Sequence, residues 1–133
     1  MEVIDELSQL LRAQGGVPDA REFGQAVRQR ESLASTAADH GMAFPHARMP
    51  ALERLAFALA SSLHPIAWNP PAPRPIHLVV LSAVPASDPG GYLTLISAWA
   101  RLTKDASRLD RVQAAQDARE IYALLRQVPI RRG

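Results

Sequence analysis

Cysteine is absent from the 133 residues, which excludes disulfides, thiolate nucleophiles and cysteine-based metal sites. Aromatic residues make up only 5%, and the net charge of +2 arises from scattered arginines rather than a basic stripe. A nucleic-acid surface needs aromatics interleaved with clustered cations, so none is expected. No apolar run reaches membrane-spanning length, because Arg, Asp, Glu or Pro interrupts each one, and no membrane insertion is expected. The start, Met1-Glu2-Val3-Ile4-Asp5-Glu6, lacks the basic and then apolar profile of a signal peptide. These absences together lead to the expectation of a soluble protein of the cytoplasm. An apolar fraction of 47% over this length supports one folded domain, residues 1–133, with a core that needs no staples.

Val3, Leu7, Leu10 and Leu11 recur at helical spacing, and Gly15-Gly16 ends that pattern. Pro18-Asp19 opens a second helix that carries Phe23, Ala26 and Val27 on one face and runs to about Glu31. Residues 32–41 read as a loop or irregular strand, and Met42 to Phe44 as a short strand ending at Pro45. Residues 55–60 form a further strand candidate whose alanines and leucines equally suit a helix, and residues 65–68 a short strand. Four prolines within residues 69–75 require a loop. Residues 76–84 are nearly all apolar and predict a central strand covered on both faces. A polar loop follows, and residues 92–102 predict a helix with Leu95, Ile96, Trp99 and Leu102 inward. A short segment around Leu109 and Val112 leads to a last helix over 117–128, started by Asp117. The expected fold is a single three-layer α/β domain, with a mixed central sheet of about four to five short strands flanked by helices.

One segment carries more chemistry than the rest: Gly41-Met42-Ala43-Phe44-Pro45-His46-Ala47-Arg48. Pro45 has a fixed φ and no N–H, so a strand is expected to stop or turn there, leaving His46 at a strand mouth with a cation nearby. Three roles are open to such an imidazole: general base, metal ligand, or covalent acceptor of a phosphoryl group. A fourth possibility is a half-buried histidine bonded to backbone. No Gly-x-Ser-x-Gly elbow supports hydrolase chemistry. His40, His64 and His77 show no metal-ligand spacing with His46, so no metal or other cofactor is expected.

The combination Arg30-Glu31, Ser35-Thr36 and Gly41-x-Ala43-x-Pro45-His46 resembles the enzyme IIA domain of the fructose–mannitol class of the bacterial phosphoenolpyruvate-dependent sugar phosphotransferase system. That class includes the nitrogen-regulatory enzyme IIA. The resemblance extends through the central strand, Pro85, the helix from Tyr92 and the final helix. It implies that His46 is the phosphoryl acceptor, with a histidine-containing phosphocarrier protein as donor. The recipient would be an enzyme IIB, in sugar uptake, or the phosphoryl state would signal to a regulated target protein. It also implies that Arg48, Arg30, Thr36 and Ser35 stabilise the phosphoryl group: the arginines through bidentate donors, the hydroxyls through single hydrogen bonds. An imidazole titrating at about 6.5 is largely neutral at cellular pH and can attack without a base.

Two positions depart from the pattern. The family commonly has a second histidine at the start of the helix after the central strand, and here Tyr92 stands in Gly91-Tyr92-Leu93. A phenol can donate one hydrogen bond to a phosphoryl group but cannot carry an imidazolium's charge. Family members also usually have a strand before the first helix, whereas this chain starts at the helix. That predicts an open sheet edge, to be covered by a partner or a second copy of the chain. The rival reading from a different functional class is a non-catalytic binding module of the same fold that has lost efficient transfer.

Overall fold

The computed structural model describes residues 2–38, 41–68, 72, 74–88 and 90–104. The elements expected around 109–112 and over 117–128 lie outside the described residues. The chain divides into two compact units, Met1–Asp88 and Pro89–Gly133.

In the first unit, α1 (Glu2–Ala13) buries Ile4, Leu7 and Leu11, one stripe of its apolar residues. It ends as Gly15-Gly16 implies. Gly15 adopts φ +79°, and the N–H groups of Gly15 and Gly16 return to the Arg12 and Leu11 carbonyls at 3.0 and 2.7 Å. This double return closes the helix end and needs a residue without Cβ strain at the left-handed position. The second helix, α2 (Ala20–Leu33), is capped by Asp19, whose carboxylate accepts from the N–H groups of Arg21 and Glu22 at 2.9 and 3.0 Å. It continues past Glu31 to Leu33 and packs on α1, with Arg28 of α2 paired to Asp5 of α1.

Five strands form a mixed sheet: β1 (Ala37–Ala38), β2 (Met42–Ala43), β3 (His46–Met49), β4 (Ala56–Ile66) and β5 (Ile76–Pro85). β5 is the axis, paired antiparallel with β4 on one side and parallel with β2 and then β3 on the other. It is buried from end to end except at His77, as its apolar run predicts. Alternate residues Val79, Leu81 and Ala83 join Ile4, Leu7, Leu11, Phe23 and Val27 in one core between the sheet and the two helices.

The irregular strand allowed for before Gly41 is present as β1, paired antiparallel with β2, and two other local expectations change. The two strands expected at 55–60 and 65–68 form one, β4, with a register shift between Ser61 and Ile66. Its polar middle is exposed on the sheet edge, where Pro65's missing N–H is tolerated. Pro45 interrupts its strand without ending it. β2 and β3 lie on β5 in the same register, with Ala43 opposite Val79 and His46 opposite Ser82. Pro45 lacks the donor half of its ladder position but keeps the acceptor half, its carbonyl taking the Ser82 N–H at 3.0 Å. His46 is therefore the first residue of a resumed strand rather than the mouth of a finished one.

The second unit is described over α3 (Gly90–Lys104), which begins two residues before Tyr92. Ala98 and Trp99 are buried, and Leu95 and Ile96 half-buried. The side chain of Leu102 lies outside the described residues. No helix among the described residues is long and apolar enough to cross a membrane.

Candidate functional site

A pocket of about 530 Å³ lies between α2 and β3, lined by Ala26, Gln29, Arg30, Leu33, His46, Ala47 and Arg48. Strand alternation puts His46 and Arg48 on one face of β3 and sends Ala47 into the core, where it is 4% exposed. Arg48 is exposed and Arg30 half-buried. Arg30 comes from the last turn of α2, where its Nη1 donates to the Ala34 carbonyl at 2.9 Å. This bond satisfies one of the helix's terminal carbonyls and directs the guanidinium to the C-terminal end of α2.

His46 is half-buried, and its Nδ1 lies 3.1 Å from the Phe44 carbonyl. A carbonyl oxygen only accepts, so Nδ1 carries the proton and the in-plane lone pair of the neutral ring sits on Nε2. Burial lowers the His46 pKa below 6.5, partly offset by the Phe44 hydrogen bond. The positive charge of Arg30 lowers it further, the Glu31 carboxylate raises it, and Arg48 lowers it. The net direction is down, so the ring is neutral and nucleophilic at neutral pH.

The hydroxyls of Ser35 and Thr36 are turned elsewhere. Both donate to the Glu31 carboxylate, Ser35 Oγ at 3.3 Å and Thr36 Oγ1 at 2.8 Å, and the Thr36 N–H adds a third bond at 2.8 Å. Glu31 is 2% exposed and takes a fourth bond from Trp68 Nε1 at 3.1 Å. Glu31 is thus a buried carboxylate to which the Ser35-Thr36 segment is tied. Sequence reasoning missed Trp68, which lies 37 residues away from Glu31. The burial of Glu31 did leave a signal, since Phe23, Val27 and Glu31 continue one helical stripe at four-residue spacing. Tyr92 lies half-buried in the first turn of α3, in the second unit. Among the described residues, no three acidic or histidine side chains gather as metal ligands.

The sequence model of the family described as "Phosphoenolpyruvate-dependent sugar phosphotransferase system, EIIA 2" matches residues 1–128. The chain belongs to this family. Among its relatives, the 2-O-alpha-mannosyl-D-glycerate-specific EIIABC component of Escherichia coli is 33% identical over 126 residues, which is 93% of this chain and 19% of that protein. A nitrogen regulatory protein of Bradyrhizobium diazoefficiens is 32% identical over 101 residues, 76% of this chain and 66% of that protein. The chain thus spans about a fifth of the first of these EIIA relatives and about two thirds of the second. The EIIA fold recurs in the crystal structure of nitrogen regulatory protein IIA-Ntr from Neisseria meningitidis. That match has a TM-score of 0.80 and 24% identity, and covers 92% of this chain and 84% of that one. It recurs also in Escherichia coli enzyme IIA mannitol, solved in complex with phosphorylated enzyme IIB mannitol. There the TM-score is 0.76 and the identity 19%, with 95% of this chain and 86% of that chain covered.

Proposed function

We propose that this EIIA domain is a phosphoryl carrier whose acceptor atom is Nε2 of His46. The observation that carries the reading is the Nδ1–H bond to the Phe44 carbonyl beside a pocket lined by Arg30 and Arg48. The Nε2 lone pair forms the new P–N bond, and the electrons of the old bond leave with the imidazole of a phosphohistidine donor. One ring gains the positive charge that the other loses, so no proton has to move. The Phe44 carbonyl favours the charged phosphorylated ring by accepting its Nδ1–H. Arg30 and Arg48 offset charge on the equatorial oxygens, the main catalytic requirement of phosphoryl transfer.

Ser35 and Thr36 support the group through Glu31 in this arrangement. The donor is a histidine-containing phosphocarrier protein. The recipient is an enzyme IIB, as in the mannitol IIA–IIB complex, or a regulated target. The test is incubation with phosphoenolpyruvate, enzyme I and the phosphocarrier protein, followed by intact mass. An acid-labile gain of one phosphoryl group is expected for the native chain and none for His46→Ala. No gain on the native chain, with the phosphorylated carrier demonstrably present, leaves the non-catalytic binding module in its place.

A further inference from the structure

Glu31 continues the buried stripe of Phe23 and Val27, and a leucine there would close the core without the desolvation cost of a carboxylate. The carboxylate instead collects four donors, three from the segment that follows the helix and one from the distant Trp68. Its Oε1 accepts from Ser35 Oγ, the Thr36 N–H and Trp68 Nε1, and its Oε2 from Thr36 Oγ1. Two branches leave this knot, and both end at the pocket. In one, Ala34, directly before the clamped Ser35-Thr36 pair, presents its carbonyl to Arg30 Nη1. In the other, the Thr36 carbonyl takes the Phe44 N–H at 3.3 Å, and the Phe44 carbonyl takes His46 Nδ1–H at 3.1 Å.

We infer that Glu31 is a positioning residue, whose carboxylate, held by Thr36 and Trp68, sets the backbone that aims both the Arg30 guanidinium and the His46 imidazole. The inference rests on His46 being the phosphoryl acceptor. It adds to that reading a residue that touches no phosphoryl group and a tryptophan outside the pocket. A carboxylate does what an apolar side chain cannot: it gives the part-buried Thr36 N–H an acceptor, and so fixes the direction of the Thr36 and Ala34 carbonyls.

Trp68→Phe and Glu31→Gln are the test. The first removes one donor while keeping an aromatic of similar shape. The second keeps an acceptor oxygen and loses the charge. Each variant is read in two ways: the rate of phosphoryl labelling, and the Nδ1–H to Nε2–H tautomer balance of His46 by ¹⁵N NMR of the unphosphorylated protein. Labelling is expected to slow by roughly 10- to 100-fold, as for a reacting group displaced by an ångström or less, and the balance to move toward Nε2–H. Unchanged tautomer and unchanged labelling in folded Trp68→Phe, with its circular dichroism intact, would overturn the inference. If the native chain is never labelled, the acceptor reading fails. The tautomer measurement then still decides whether Glu31 and Trp68 orient His46.

Discussion

Replacing Glu31 with alanine perturbs the knot at the end of α2 more than any other single change. Two of its four donors, the Thr36 N–H and Trp68 Nε1–H, have fixed directions and would be left without an acceptor. Each such loss costs about 1–3 kcal/mol. The hydroxyls of Ser35 and Thr36 can rotate to other acceptors and cost less. Relief of the carboxylate's own desolvation offsets part of the sum, which leaves a net destabilisation of about 2–4 kcal/mol. For a chain of this length that lowers Tm by roughly 10 °C. Glu31→Gln retains an oxygen for the Thr36 N–H and should cost about 1 kcal/mol. Urea unfolding followed by circular dichroism measures both. A cost below about 0.5 kcal/mol for Glu31→Ala, or equal costs for Ala and Gln, would refute the view that this carboxylate organises the helix end.

His46 has a folded-state pKa below its unfolded value of about 6.5, so the unfolded chain binds more protons in between. Its contribution to stability is therefore complete above pH 6.5 and is lost as pH falls through the folded value; an NMR titration midpoint above 6.5 would contradict this. Phosphoryl labelling should correspondingly stay level at and above pH 6.5 and decline only as pH approaches the lower folded-state value, provided the donor system is shown to be active across the range. Arg30→Gln removes a charge that lowers the His46 pKa, so the titration midpoint should rise while labelling slows; a falling midpoint would count against it. Asp19→Ala deletes the cap of α2, with an expected loss of about 1 kcal/mol in urea unfolding and no change at His46.

Much of the site is local in sequence, and for that reason legible in it. Pro45, His46 and Arg48 occupy one short segment, and strand alternation alone puts His46 and Arg48 on a common face. The Asp19 cap, the Gly15-Gly16 stop and the buried run of β5 also follow from neighbours in the chain. What could not be read depends on distant partners. The bond from Trp68 to Glu31 spans 37 residues, and nothing around Trp68 in the sequence points to a carboxylate. Strand continuity through Pro45 depends on β5 supplying the Ser82 N–H to the proline carbonyl. The length of β4 is set likewise by pairing with β5 across a polar, alanine-rich stretch of ambiguous propensity. The hydroxyls of Ser35 and Thr36 were expected to face a phosphoryl group. They face Glu31, because a buried carboxylate needs every donor within reach.

The proposed transfer turns on one atom, Nε2 of His46. Protein labelled with ¹⁵N-histidine, phosphorylated from phosphoenolpyruvate through enzyme I and the phosphocarrier protein, should show ³¹P coupling at the His46 Nε2 resonance, with Nδ1 still protonated. Coupling at Nδ1, or a phosphoryl group on another residue, would contradict the tautomer set by the Phe44 carbonyl and with it the proposed route of transfer.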